Sequence, residues 1–111
     1  MPYKTFLIQS ESLGRGDDQL GIMLMANFLR LLGESQEKPS SLVFWNAGVK
    51  LACEGSHVLT HLKKLEEQGV EILACTTCLE FFDLVEKLKV GKPTTMVKSI
   101  QSMMNSEMMC L

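Results

Sequence analysis

A chain of 111 residues, 46% hydrophobic and 22% charged, has the size and apolar content of one domain with a real core. Its formal charge of −2, with no clustered Lys/Arg stripe, speaks against a nucleic-acid partner, and no apolar run approaches the roughly 20 residues a membrane helix needs. A strand-like run begins at position 3 and leaves no room for an export leader, so a cytoplasmic protein with reduced thiols is expected, not a disulfide scaffold built on its four cysteines.

Residues 3–9 (YKTFLIQ) read as a buried strand, and the polar, Gly-broken loop SESLGRGDDQ follows. Asp17 and Asp18 suit the first turn of a helix with an inner stripe expected at Leu20, Leu24, Phe28 and Leu31, and Gly33 suits its stop. Met23, Met25, Leu29 and Leu32 widen that stripe well beyond one face, and a partner subunit is expected to cover the excess. After GESQEKPSS, residues 41–45 (SLVFW) form a second strand that closes on Asn46. A short helical turn broken at Gly55 comes next, and then Ser56 as the cap of HVLTHLKKLEEQ, with Val58, Leu62 and Leu65 inside. Gly69 stops that helix, and residues 70–74 (VEILA) form a third strand that delivers Cys75. Leu79, Phe82 and Val85, with Leu88 beyond, mark a helix to about Lys87, and KVGKP holds a very short strand and turn. Pro93 opens a last helix with Met96, Val97, Ile100 and Met104 expected inside, and SEMMCL returns as a terminal strand.

Strands alternating with helices imply crossover connections and a mostly parallel sheet of about five strands, covered on both faces in a three-layer α/β/α sandwich. Ligands of such sheets bind where loops leave the carboxyl ends of the strands. Residues 15–18, Asn46 and residues 75–78 are therefore expected to gather at one edge. The start of the helix after Ser56 comes to the same edge and brings His57 toward the thiols, with His61 a turn lower.

Cys75 and Cys78 stand three apart where a strand turns into a helix. If Thr76 or Thr77 caps that helix, Cys78 lies in its first turn, where unpaired N–H groups favour a thiolate. The pair then reads as a sulfur-handling nucleophile, a dithiol redox centre or buried filler. His57 and His61 supply with them a zinc-type ligand set, against which the lower position of His61 counts. The acidic pair in GRGDD is read as a helix cap in preference to a phosphate nest, and no G-x-x-x-x-G-K-[ST], G-x-G-x-x-G or G-x-S-x-G pattern occurs. Eight methionines, five of them from Met96 onward, are read as core or subunit contacts ahead of soft-metal ligands.

Taken together, GRGDDQLGIMLMANFLRLL, LVFWNAGVKLACEGSHVLTHLKKLEEQGVEILACTTCLEFFDL and LKVGKPTTM closely resemble the DsrE/DsrF/TusD-like superfamily. The nearest likeness is to the C-terminal domain of YedF-type proteins, associated with selenium metabolism and sulfur transfer. The resemblance implies a three-layer sandwich assembled as a homotrimer or homohexamer, and a cysteine after the third strand that carries sulfur as a persulfide. Cys75 matches that carrier position best, and Cys78 is the second cysteine of a C-G-T-C form in which Thr76 here replaces Gly. A separate TusA-like sulfur carrier is the implied partner.

The expected function is that of a sulfur carrier or sulfurtransferase-like protein. It takes sulfane sulfur on Cys75, with Cys78 assisting or resolving, and Asn46, His57, Thr76, Thr77 and nearby backbone N–H groups line the site. No cofactor and no metal enter this reading. Its alternatives are a non-catalytic oligomeric scaffold of the same fold and a C-x-x-C redox protein.

Overall fold

Residues 41–44 (SLVF) are buried at every position, as a strand covered on both faces must be. They form the middle of a sheet in a computed structural model that describes residues 3–111. In chain order the elements are β1 (Lys4–Ile8), α1 (Asp18–Glu34), β2 (Ser41–Phe44), a 3-10 helix (Asn46–Ala52), α2 (Leu59–Glu67) and β3 (Glu71–Cys75). Then come α3 (Thr76–Phe81), a 3-10 turn (Val85–Lys87), β4 (Lys92–Thr94), α4 (Met96–Met104) and β5 (Glu107–Cys110). The strand order is β4-β3-β2-β1-β5, and every neighbouring pair is parallel. The first four strands step in one direction across the sheet, and α4 carries the chain back to lay β5 beside β1.

Side-chain alternation splits the interior in two. Ile8, Leu42, Phe44 and Ile72 pack with Met25 and Leu29 of α1 and with Leu62 and Leu65 of α2. Leu7, Val43 and Leu73 form a smaller cluster on the other face, against which Met103 of α4 and Met108 pack. The result is the expected α/β/α sandwich, with the sheet wholly parallel. No helix among the described residues is long and apolar enough to cross a membrane.

Within this frame several local expectations change. The buried line of α1 is Gly21, Met25, Leu29 and Gly33, while Leu20, Leu24 and Leu31 face outward. Close packing of the 11–16 loop sets this rotation. Leu13 N–H donates to the Gly21 carbonyl at 2.9 Å, and a Cβ at Gly21 would fall 1.6 Å from Ser12 Oγ. Ser56 does not cap α2; its hydroxyl accepts the Val58 N–H in a preceding turn, and the helix begins at Leu59. Val58, Leu62 and Leu65 are buried as expected.

The last helices differ most. Pro93 lies inside β4, where an edge strand tolerates it, and α4 starts three residues later, capped by the Thr95 hydroxyl accepting the Lys98 N–H at 3.2 Å. Ser99 turns inward, and Met96, Val97, Ile100 and Met104 lie on the surface. That sheet face also buries Thr5 and Ser41, hydroxyl to hydroxyl at 3.1 Å, so its inner layer is built partly of small polar groups.

Helix α3 does not run to Lys87. It ends at Phe81 because Asp83 takes a left-handed φ of 57° while Leu84 N–H reaches the Leu79 carbonyl and Asp83 N–H the Glu80 carbonyl. These two bonds form a Schellman cap. Helix α2 ends the same way, with Gly69 at φ 97° and the Val70 and Gly69 N–H groups on the Leu65 and Glu66 carbonyls. An aspartate in the left-handed position costs about 1–2 kcal/mol that glycine avoids, partly offset by glycine's greater unfolded-state entropy. In urea denaturation Asp83→Gly is therefore expected to stabilise by up to about 1 kcal/mol. Gly69→Ala, at the matching position of α2, is expected to destabilise by about 1 kcal/mol or more.

Candidate functional site

The site starts from a close backbone approach after β2. Trp45 N–H donates to the Ile8 carbonyl at 3.0 Å, and Gly48 N–H donates back to the Trp45 carbonyl at 2.9 Å. Gly48 lies so near the end of β1 that an added Cβ would stand 2.3 Å from the Ile8 carbonyl oxygen. Between them Asn46 adopts φ 52°, a left-handed conformation that asparagine bears better than most residues. Its N–H is thereby aimed across to β3's exit and donates to Cys78 Sγ at 3.1 Å.

The neighbouring strand fixes the acceptor. Cys75 is the last residue of β3, paired with Thr94 of β4, and is only 3% exposed. The Thr76 hydroxyl donates to the Thr94 carbonyl at 2.9 Å, which ties the start of α3 to the end of β4. Thr76 is thus a fastening and not a cap; Cys75 occupies the N-cap position, with no side-chain cap bond. One turn on, Cys78 is half-buried and lines an open concavity of about 270 Å³ with Asn46, Thr77, Phe81 and Phe82. Phe81 is 82% exposed and meets Phe82 edge-on at 5.2 Å. All four cysteines are free thiols.

The opening therefore belongs to Cys78, whereas the resemblance pointed first to Cys75. The electrostatics also differ from expectation. Burial, followed by the neighbouring Cys75 thiol, pushes the Cys78 thiol up, and the Asn46 N–H pulls it down by less. At neutral pH Cys78 is a protonated thiol facing an uncharged, largely aromatic wall.

His57 does not join it. With Glu11, Lys50, Cys53, Glu54 and Ser56 it lines a separate cleft of about 350 Å³, whose shared wall with the Cys78 concavity is Phe82. Lys50 Nζ sits 4.5 Å over the Phe82 ring and 3.9 Å from Glu11 Oε1. Cys53 is buried there, its S–H donating to the Val49 carbonyl at 3.2 Å, and burial pushes that thiol up. Asp17 caps α1, accepting the Leu20 N–H at 2.8 Å, as its position suggested. Among the described residues no group of three or more His, Cys, Asp or Glu could hold a metal ion, so His57, His61, Cys75 and Cys78 form no ligand set. Sequence reasoning passed over Phe81 and Phe82 as site residues. The available signal was two consecutive aromatics one helical turn after C-x-x-C, only one of which a helix can bury.

Exposure and ionisation together set the order of reactivity. Alkylation of the native protein is expected to label Cys78 and Cys110 and to spare Cys53 and Cys75. The Cys78 rate should be slow at neutral pH and keep rising beyond the ordinary thiol value of 9.0, because burial holds the proton on. Peptide mapping across a pH series checks both; early labelling of Cys75 would contradict the assignment.

No family profile matches the sequence, and no curated protein matches it. Solved structures match it along nearly its whole length. The YchN protein from E. coli superposes with a TM-score of 0.76 at 14% identity, covering 100% of this chain and 100% of that one. MTH1491 from Methanobacterium thermoautotrophicum gives 0.70 at 20% identity, covering 98% and 99%. BT1422 from Bacteroides thetaiotaomicron gives 0.63 at 16% identity, covering 97% and 94%; both are described as proteins of unknown function. At these identities the likeness is one of fold alone, and it agrees with the five-stranded parallel α/β architecture of this chain.

Proposed function

We propose that this chain is a sulfur carrier of the kind its resemblance to the C-terminal domain of YedF-type proteins suggests, in which Cys78 holds sulfane sulfur as a persulfide. The observation that carries the reading is the open position of the Cys78 sulfur with a fixed backbone N–H 3.1 Å away. The sulfur of Cys78 attacks the outer sulfur of a donor persulfide R–S–SH. A new S–S bond forms at Cys78, the donor's S–S bond breaks, and the leaving thiolate takes the proton that Cys78 gives up. The products are Cys78–S–SH and R–SH, and no oxidant or reductant is consumed. The Asn46 N–H, 3.1 Å from Cys78 Sγ, favours the thiolate form of Cys78 that attacks. Passage to an acceptor thiol is the same exchange reversed, and a separate TusA-like protein in a reducing cytoplasm is the partner that the resemblance suggests.

A second reading rests on the Cys75 thiol beside Cys78. After loading, Cys75 can attack the inner sulfur of the persulfide, which closes a Cys75–Cys78 disulfide and expels hydrogen sulfide. The same two thiols then act as a redox couple. The chain is also proposed to self-associate, because Leu20, Met23, Leu24 and Leu31 leave a long apolar stripe on α1 uncovered.

Intact-mass and peptide analysis after exposure to a persulfide donor tests the carrier, with Cys110→Ser as background to remove the exposed terminal thiol. One added sulfur is expected on Cys78, absent in Cys78→Ser and present in Cys75→Ser. Loading that survives Cys78→Ser would reject the assignment; a disulfide formed only after loading would favour the second reading.

A further inference from the structure

The charged cleft that shares Phe82 with the thiol concavity takes no part in sulfur exchange at Cys78, yet it is the larger of the two. It opens at the carboxyl edge of the sheet, where ligands of parallel α/β sheets bind. Glu11 comes from the loop after β1, Lys50 from the 3-10 helix, and Glu54 and His57 from the turn that Gly55 makes at φ 91°. Leu51, Leu84 and the Phe82 ring supply apolar lining. At about 350 Å³ the cleft lies near the small end of the range for small-molecule sites, roughly 300–1,000 Å³.

Its charges select the occupant. Among the described residues that line it, one ammonium, Lys50, stands with two carboxylates, Glu11 and Glu54. A phosphate or a nucleotide would therefore meet more negative charge than positive, and a plain cation would meet Lys50. An apolar ligand would desolvate all three groups without pairing them. A zwitterion matches both signs, its carboxylate on Lys50 and its ammonium on a glutamate. The Lys50–Glu11 contact does not prevent this. At 3.9 Å, with side chains 44% and 40% exposed, it is a weak pair that a ligand carboxylate can replace.

Lys50 also sets where such a ligand lies. Its ammonium stands 4.5 Å from the centre of the Phe82 ring, and the other pocket that this ring lines is the one lined by Cys78. An α-amino acid whose carboxylate binds Lys50 is held at the border of the two pockets, where a side arm ending in sulfur passes Phe82 toward Cys78.

We propose that this cleft holds the amino-acid end of the sulfur donor, and that the donor is free cysteine persulfide. The inference rests on Cys78 as the carrier and names its substrate class. Cys78 attacks the outer sulfur, the donor's S–S bond breaks as a new one forms at Cys78, and free cysteine leaves with the proton that Cys78 gives up.

In the Cys110→Ser background, Cys78 loading is timed by intact mass and peptide mapping with cysteine persulfide and with hydroxyethyl persulfide, which has neither charged group. The amino-acid donor is expected to load about tenfold faster, as one charge-assisted contact provides. That preference should vanish in Lys50→Met and persist in Lys50→Arg. S-methylcysteine, which has no sulfur to transfer, is expected to give saturable amide NMR shifts at residues 50–57 that Lys50→Met abolishes. Equal rates from the two donors, a preference untouched by Lys50→Met, or no saturable S-methylcysteine shift would overturn the cleft's role and leave Cys78 loading standing. Failure of both donors to load Cys78 would reject the carrier, and this inference with it.

Discussion

A backbone N–H held in a left-handed turn and pointed at a sulfur atom is the contact on which the site depends. Asn46 donates to Cys78 Sγ because three neighbouring features hold its backbone in place. β1 and β2 run in register to Ile8 and Phe44, Trp45 closes onto the Ile8 carbonyl, and Gly48 permits the 3-10 helix to lie against that same carbonyl. A side chain at position 48 would push the turn outward and take the amide with it. The sulfur end is fixed just as firmly, through β3's buried run into Cys75 and the bond from Thr76 to Thr94.

What this contact does depends on the balance between burial and hydrogen bonding. A thiol taken out of water loses more as an anion than one N–H restores, so the resting site stays neutral. The concavity adds shape. The Schellman cap at Asp83 stops α3 and sets Phe81 and Phe82 as its aromatic side. Phe82 also divides the uncharged thiol site from the charged cleft of Lys50, Glu11 and His57.

The strands and the sheet edge were legible because parallel strands buried on both faces read as continuous apolar runs, and 41–44 and 72–75 are of that kind. Asn46 and Cys78 were identifiable as residues just beyond strand ends, and Gly69 was readable as a stop because glycine is the usual left-handed residue. Asp83 performs the same task without that mark, so periodicity alone carries the helix on past it. On α1 the apolar residues run almost all the way round, and periodicity alone leaves the inner face undetermined; contact with the 11–16 loop decides it. On α4 the periodicity is clear, yet the apolar side faces outward and Ser99 inward, over a sheet face that also buries the hydroxyls of Thr5 and Ser41. Which of the two thiols opens to solvent depends on a turn of side-chain direction at a strand end, which spacing does not encode.

Amide NMR of the Asn46 resonance during a pH titration tests the central contact most directly. If that N–H donates to Cys78, the Asn46 amide shifts downfield as the thiol ionises, with a midpoint above 9.0, and the shift vanishes in Cys78→Ala. An Asn46 resonance indifferent to pH in that range, or one titrating identically without the Cys78 sulfur, would contradict the account.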